Sequence, residues 1–375
     1  MTKKLSLMEG NEAVARGAVA AGCRFFGGYP ITPATTIYNA MLQLLPPLGG
    51  IVMQGEDEIA SIGFCLGASM AGLKVMTATS GPGISLFSEH ISFAIGSEIP
   101  IVIVNVQRLG PSTGSATRGA DGDINFMRWG NSGGLPVIVL APVNVSDCFT
   151  LTMHAFNLAE RFRCPVFVAS NKEIGMTRES FDPDALEQPP QVDRATAATD
   201  QSFLPFQVGK GRQVPDFLPI GGNTLVRQTS STHGKTGYIT TDSGEIAATL
   251  SRLRSKLDSS VDQFSYYESL TSKNADTLII AYGVTARAAK AVYSELKQQG
   301  QPVSLLVLKT LWPIPEKVIR KASQNIKRIV MVEMNLGQYV REIERLLPDR
   351  HIAFVGQMNG QLIDPQRIKE TIING

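Results

Sequence analysis

Three short stretches of this sequence carry side chains that could act together on a small molecule. YPITPATT (29–36) sets a hydroxyl, Thr32, between two prolines. GEDEIASIG (55–63) supplies three acids, Glu56, Asp57 and Glu58, and QRLGPSTGSATR (107–118) supplies Arg108 and, further along, Thr117 and Arg118. Pro30 and Pro33 each fix φ at about −65° and bias Tyr29 and Thr32 toward extended geometry, so the first stretch is a stiff connector that holds its hydroxyl with little residual freedom. A carboxylate can hold or move a proton, and a guanidinium can grip another carboxylate through two parallel hydrogen bonds. Each feature also has a plainer reading. A Pro-rich turn can simply stop a strand, acids suit the first turn of any helix through its dipole, and Arg108 could belong to a structural ion pair.

A sheet is what would bring the three stretches together. From residue 8 to about 172, helical and strand patterns alternate: helix 11–22, strand 23–28, helix 35–45, strand 51–54, helix 56–72, strand 73–80, helix 83–96 and strand 99–106. After a polar loop (107–124) come strand 135–142, helix 144–162 and strand 165–170. The strands are unbroken Val/Ile runs, as expected where helices cover both faces of a parallel sheet. The predicted class is therefore α/β, a doubly wound layer. Such sheets bind ligands at the carboxyl ends of their strands, and the three stretches follow the strands ending at 28, 54 and 106.

Residues 176–265 change character. FDPDALEQPP (181–190) and TSSTHGKTGYITTDSG (229–244) show no strong period, and so long an aperiodic run is unusual inside one compact domain. The predicted organisation is a first domain over 1–175, an extended excursion over 176–265, and a second parallel-sheet domain over 266–375. Strands of the second domain are expected at 276–283, 302–310, 328–334 and 351–356.

Composition narrows the function. The chain has 375 residues, 43% hydrophobic and 18% charged, with a formal net charge of +2; it is a packed protein without the basic stripe that a nucleic-acid partner calls for. Its longest apolar runs are of strand length, well short of the roughly 20 residues of a membrane helix, and residues 1–10 do not read as a signal peptide. No membrane association and a cytoplasmic location are expected. The four cysteines stand alone at 23, 65, 148 and 164, with no CxxC, which argues against an iron–sulfur or zinc motif in this chain. Cys23, Cys65 and Cys164 read as buried core thiols. HGKT (233–236) lacks the glycine and strand of a phosphate loop, GASMA (67–71) is not a nucleophile elbow, and DGD (121–123) reads as a turn before it reads as a cation site.

YPITP, the acid-led helix ending GASMAG, TSGPG (79–83), VQRLGPSTG and RWG (128–130) together resemble the α subunit of the 2-oxoacid:ferredoxin oxidoreductases, most like the 2-oxoglutarate enzymes. The resemblance continues through FNLAERFRCPV, LWPIP (311–315) and VEMNLGQ (332–338), nearly the whole chain. It implies a pyrimidine-binding domain for thiamin diphosphate followed by a transketolase C-terminal-like domain. It implies that Glu58, aligned by counting back from GASMAG, is the catalytic carboxylate that hydrogen-bonds the aminopyrimidine and favours loss of the thiazolium proton. Thr32, Tyr29, Ile31 and Ser80 would surround the cofactor. Thr32 and Arg108 would hold the substrate's carboxylate end, with Arg108 bidentate, while Thr117 and Arg118 would read its distal end. SATRGADGD departs from the acid- and amide-rich continuation usual there, and this leaves branched-chain and other 2-oxoacids open as substrates.

The implied reaction is CoA-dependent oxidative decarboxylation of 2-oxoglutarate with reduction of ferredoxin, reversible under a strong reductant. A β subunit would supply the diphosphate site, its magnesium ion (Mg2+) and the 4Fe–4S iron–sulfur cluster, and small γ and δ subunits could join. This chain has neither GDG followed by a spaced Asn nor cluster cysteines, so no metal site is expected in it. A non-catalytic scaffold keeping the same fold is the contrasting reading.

Overall fold

The computed structural model describes residues 5–182, 186, 188–198 and 203–374. In chain order, β1 (Ser6–Glu9) and α1 (Gly10–Ala20) are followed by β2 (Phe25–Gly28), α2 (Thr35–Leu44), β3 (Ile51–Gln54), α3 (Glu58–Met70) and β4 (Val75–Thr79). Next come the broken pair α4 (Pro82–Leu86) and α5 (Ser88–Gly96), then β5 (Ile101–Gln107), α6 (Ile124–Trp129), β6 (Ile138–Leu140), α7 (Val145–Phe162), β7 (Pro165–Asn171), α8 (Lys172–Gly175) and β8 (Arg178–Phe181). After α9 (Ser243–Asp258) the second unit runs β9 (Tyr267–Leu270), β10 (Thr277–Tyr282), α10 (Thr285–Gln298), β11 (Val303–Leu308), β12 (Thr310–Trp312) and α11 (Glu316–Ala322). It ends with β13 (Arg328–Glu333), α12 (Val340–Leu346), β14 (His351–Gly356) and α13 (Pro365–Asn374).

The first sheet has the order β12-β6-β7-β5-β4-β2-β3 and is parallel except for β12. The second has the order β14-β13-β10-β11-β9, parallel except for β9. Every residue of β4, β5, β6 and β7 is buried, which is why these strands show as continuous apolar runs rather than alternating ones. β12 lies beyond residue 266 yet completes the first sheet, and both hydrophobic clusters of the core run through both units. The two α/β units are therefore stitched together. All four cysteines are free and buried, and burial pushes the thiols of Cys23 and Cys164 up to about 12. Among the described residues no helix is long and apolar enough to cross a membrane.

The excursion has more order than its composition suggests. It contains the whole of α9, started by the Asp242 side chain accepting from Glu245 N at 2.8 Å, and it fastens to the first unit through buried ions. Arg194 meets Glu160 through two bonds of 2.7 Å, donates to Ser69 O and Leu73 O at 2.9 Å, and lies over the Phe217 ring. From α9, Arg252 and Lys256 reach Glu98 at 2.6 and 2.8 Å.

Candidate active site

The row of three acids divides at the start of α3. Asp57 has extended backbone (φ −154°), and its side chain accepts from Ala60 N at 2.7 Å; this N-cap satisfies a donor that the helix itself cannot. Glu56 precedes the helix and is exposed. Glu58 is the first helical residue and alone turns inward, at 6% exposure. Its carboxylate has no hydrogen-bond or ion-pair partner among the described residues.

Unpartnered polar atoms gather around it. The hydroxyls of Thr79, at the carboxyl end of β4, and of Ser80, just beyond, are buried without a partner. Gly83 makes the space between them: a Cβ there would stand 2.0 Å from Thr79 Oγ1 and 2.7 Å from Glu58 Oε1. Only glycine lets the TSGPG turn come this close to the carboxylate. A buried polar group without a partner costs free energy, so two orphaned hydroxyls beside an unpaired carboxylate mark this ligand end of the sheet as the candidate site.

Arg108 lies just past β5 and is 4% exposed. Its Nη1 donates to Thr32 O at 2.6 Å and its Nη2 to Thr113 O at 2.9 Å, while Nε is buried without a partner. Gly81, at φ 51°, permits this placement, because a Cβ there would lie 2.7 Å from Nε. Burial pushes the guanidinium's pKa down from its ordinary value, with the charges of Asp123 and Glu58 opposing. Arg108 thus ties the YPITP connector to the 109–118 loop. Nη1 and Nη2 each spend one of their two hydrogens on a backbone carbonyl, and Nε has no partner, so Nε–H and one hydrogen on each Nη are left over.

The remaining sequence-derived residues fall at different depths. Thr32 is exposed and the Thr32–Pro33 bond is cis. Tyr29 is 38% exposed, and Ile31 packs half-buried against the core. Thr117 and Arg118 are exposed on a loop closed by Leu109 N to Arg118 O and Ser115 N to Leu109 O, both 2.8 Å. The structure brings Glu58, Ser80, Arg108 and the Thr32 backbone into one region and leaves Thr117 and Arg118 on the rim.

Sequence reasoning missed the polar floor beneath Arg108. Asn105 Nδ2 donates to Asp123 Oδ2 at 3.0 Å, and Gln107 Oε1 accepts from Asp123 N at 3.0 Å. The DGD turn also buries Asp121, whose Oδ1 accepts from Asn171 Nδ2 at 2.7 Å. Burial raises the Asp121 carboxyl to about 7, with Glu333 adding to the rise and Asn171 opposing it. A signal was present in IVIVNVQ: two amides two residues apart on one face of a buried strand.

Residues 16–250 match the pyruvate flavodoxin/ferredoxin oxidoreductase family in its thiamine diphosphate-binding region, and residues 275–368 match the pyruvate:ferredoxin oxidoreductase core domain II. A 2-oxoglutarate synthase subunit KorA from Archaeoglobus fulgidus is 39% identical, over 98% of this chain and 99% of its own. A ketoisovalerate oxidoreductase subunit VorB from Methanothermobacter thermautotrophicus is 33% identical, over 98% of this chain and 96% of its own. Among solved structures, the 2-oxoglutarate:ferredoxin oxidoreductase of Magnetococcus marinus, with 2-oxoglutarate, coenzyme A and succinyl-CoA bound, superposes with TM-score 0.93 at 30% identity. The match covers 99% of this chain, which spans 65% of that one. Both α/β units thus have counterparts in a single set of enzymes, and the chain belongs to the pyruvate flavodoxin/ferredoxin oxidoreductase family.

Proposed function

We infer that this chain is the α subunit of a 2-oxoglutarate:ferredoxin oxidoreductase, which turns 2-oxoglutarate and CoA into succinyl-CoA and carbon dioxide while reducing ferredoxin. The observation that carries the reading is the buried, unpartnered carboxylate of Glu58 beside the space left by Gly83, in a chain 37–39% identical along almost its whole length to 2-oxoglutarate synthase subunits.

The residues fit thiamin diphosphate. A carboxylate with no protein partner and two orphaned hydroxyls suit a flat nitrogen heterocycle bearing protons to share. When bound, thiamin diphosphate supplies the electron sink for decarboxylation. Glu58 would hold the proton at the pyrimidine ring nitrogen, and the Thr79 and Ser80 hydroxyls are free to bond in the same space. Arg108 keeps the Thr32 carbonyl in place and retains Nε–H and one hydrogen on each Nη for a substrate carboxylate, while Thr32, exposed on a stiff connector, would offer its hydroxyl to the same substrate. Tyr29 and Ile31 would pack around the cofactor, and Thr117 and Arg118, exposed on the loop, would read the distal end of the 2-oxoacid.

The chain works with other subunits. In this proposal a β subunit contributes the diphosphate and Mg2+ site and the nearest 4Fe–4S cluster, and small γ and δ subunits complete the complex. Assay of co-expressed α and β subunits on a panel of 2-oxoacids tests the reading. Turnover should require both subunits, CoA and ferredoxin, and should be best with 2-oxoglutarate. A preference for 2-oxoisovalerate would overturn the substrate assignment, and full activity of this chain alone would overturn the split site.

A further inference from the structure

The loop that begins at Arg108 is held at its far end by the second α/β unit. Asp121 N donates to Met334 O at 2.8 Å, Asn335 Nδ2 to Asp121 O at 2.9 Å, Gln338 Nε2 to Gly122 O at 2.5 Å, and Asn125 N to Gln338 Oε1 at 2.9 Å. Every one of these bonds joins the DGD turn, or the first turn of α6, to MNLGQ (334–338). The segment that grips is itself braced. Asn335 Oδ1 accepts from Gly337 N at 2.8 Å and Gln338 N at 3.0 Å, and the buried Glu333 carboxylate accepts from Tyr339 N, Val340 N and the Tyr282 hydroxyl. The turn after β14 adds packing: a Cβ on Gly360 would lie 2.8 Å from Arg118 Cβ, and one on Gly122 would lie 3.0 Å from Met358 Cε.

We propose that MNLGQ is the positioning element of the substrate-facing loop, with Gln338 the residue whose amide sets where Thr117 and Arg118 stand. The inference rests on the reading above that residues 108–118 face the 2-oxoacid, and it gives the second unit a part in substrate selection as well as in assembly. One amide fixes two backbone groups, Gly122 O and Asn125 N, three residues apart. Without it the turn exchanges those bonds for water, and the ordering of the loop falls to the substrate when it binds. A cost of that kind weakens binding equally in the ground and transition states, so it raises KM and leaves kcat in place.

The test uses the assembled enzyme. Gln338→Leu keeps the side chain's bulk and removes both bonds, worth about one net hydrogen bond or a little more, so KM for 2-oxoglutarate should rise about fivefold to tenfold. The kcat and the KM for CoA should stay within about twofold, and trypsin should cleave after Arg118 several times faster than in the unmutated complex. Gln338→Glu keeps the acceptor for Asn125 N and should fall between the two. A folded Gln338→Leu enzyme with unchanged KM and unchanged cleavage at Arg118 overturns the proposal, as does an equal rise in KM for CoA and 2-oxoacid. If the unmutated complex turned over no 2-oxoacid, the functional reading would fail, while cleavage at Arg118 would still judge the clamp.

Discussion

Of the glutamates that the first α/β unit buries, Glu58 and Glu98 are treated in opposite ways. Glu98 is fully buried in the turn before β5, at φ 52°, with Arg252 and Lys256 of α9 on its two oxygens. Burial alone would raise its carboxyl, yet the charges of Lys256 and Arg252 bring it down to about 2. Glu58 is nearly as buried and has no such partner; Arg108, whose charge is coupled to it, makes its hydrogen bonds to two backbone carbonyls instead. A buried charge kept for architecture is neutralised by the chain itself. In the proposed function, the one left open at the ligand end of the sheet is kept for a cofactor, and local rules are expected to fail at such places.

The contrast is broken or sharpened first at Glu98. Glu98→Gln leaves Lys256 and Arg252 facing a neutral amide, and removing one member of a buried pair costs about 3–5 kcal/mol. Urea titration at neutral pH should show that loss, while turnover per folded complex stays unchanged. The pH dependence follows from the sign of the shift. A carboxyl lowered on folding gives stability that is fully present above its ordinary value of 4.5 and lost as pH falls toward about 2. The difference between wild type and Glu98→Gln should therefore close across that window. A loss below about 1 kcal/mol, the level of an exposed ion pair, would mean that α9 does not depend on this anchor.

Glu58→Gln should do the reverse. Proton handling by a positioned side chain contributes about 100-fold or more, so the assembled enzyme should lose at least that in kcat. Stability should hold or improve, because no protein bond is broken and an unpartnered buried carboxylate is replaced by a neutral amide. A substantial fall in melting temperature would show that Glu58 belongs with Glu98 after all.

How much of this was legible in the sequence depended on distance along the chain. β4, β5 and β7 announce themselves because helices cover both faces, and the acid row identifies the start of α3, where the count back from GASMAG picks Glu58 and the cap geometry gives Asp57 its different place. Glu98 carries no local mark: in SEIP it resembles any turn acid, and its partners lie 154 and 158 residues away. DGD likewise reads as a turn, because the amides that hold it come from residues 105, 107, 171, 335 and 338. The helix α9 was readable in principle. Asp242 and Glu245 bracket its first turn, and Ile246, Leu250, Leu253 and Leu257 keep a helical period, but serines, arginines and lysines dilute the apolar stripe until it passes for loop. The joining of β12 to the first sheet is a tertiary event with no sequence period of its own.

Arg108 lies between the two extremes and offers the smallest effect of the three. It is buried, and two of its nitrogens each make one hydrogen bond while the third makes none. If Nε meets the substrate carboxylate, Arg108→Ala removes one partner of a desolvated charge pair and should cost about 2 kcal/mol or somewhat more, roughly 30-fold in kcat/KM, for every 2-oxoacid. Arg108→Lys separates the two roles. A lysine can still bond one carbonyl of the connector or the loop, but it has no Nε beside the Gly81 backbone and cannot copy the planar fork. Loss of turnover in Arg108→Lys at an unchanged melting temperature would assign Arg108 to the substrate. Near-normal turnover in Arg108→Lys, with Arg108→Ala both inactive and destabilised, would instead place it beside Glu98, as a tie between Thr32 and Thr113 that the protein needs for its shape.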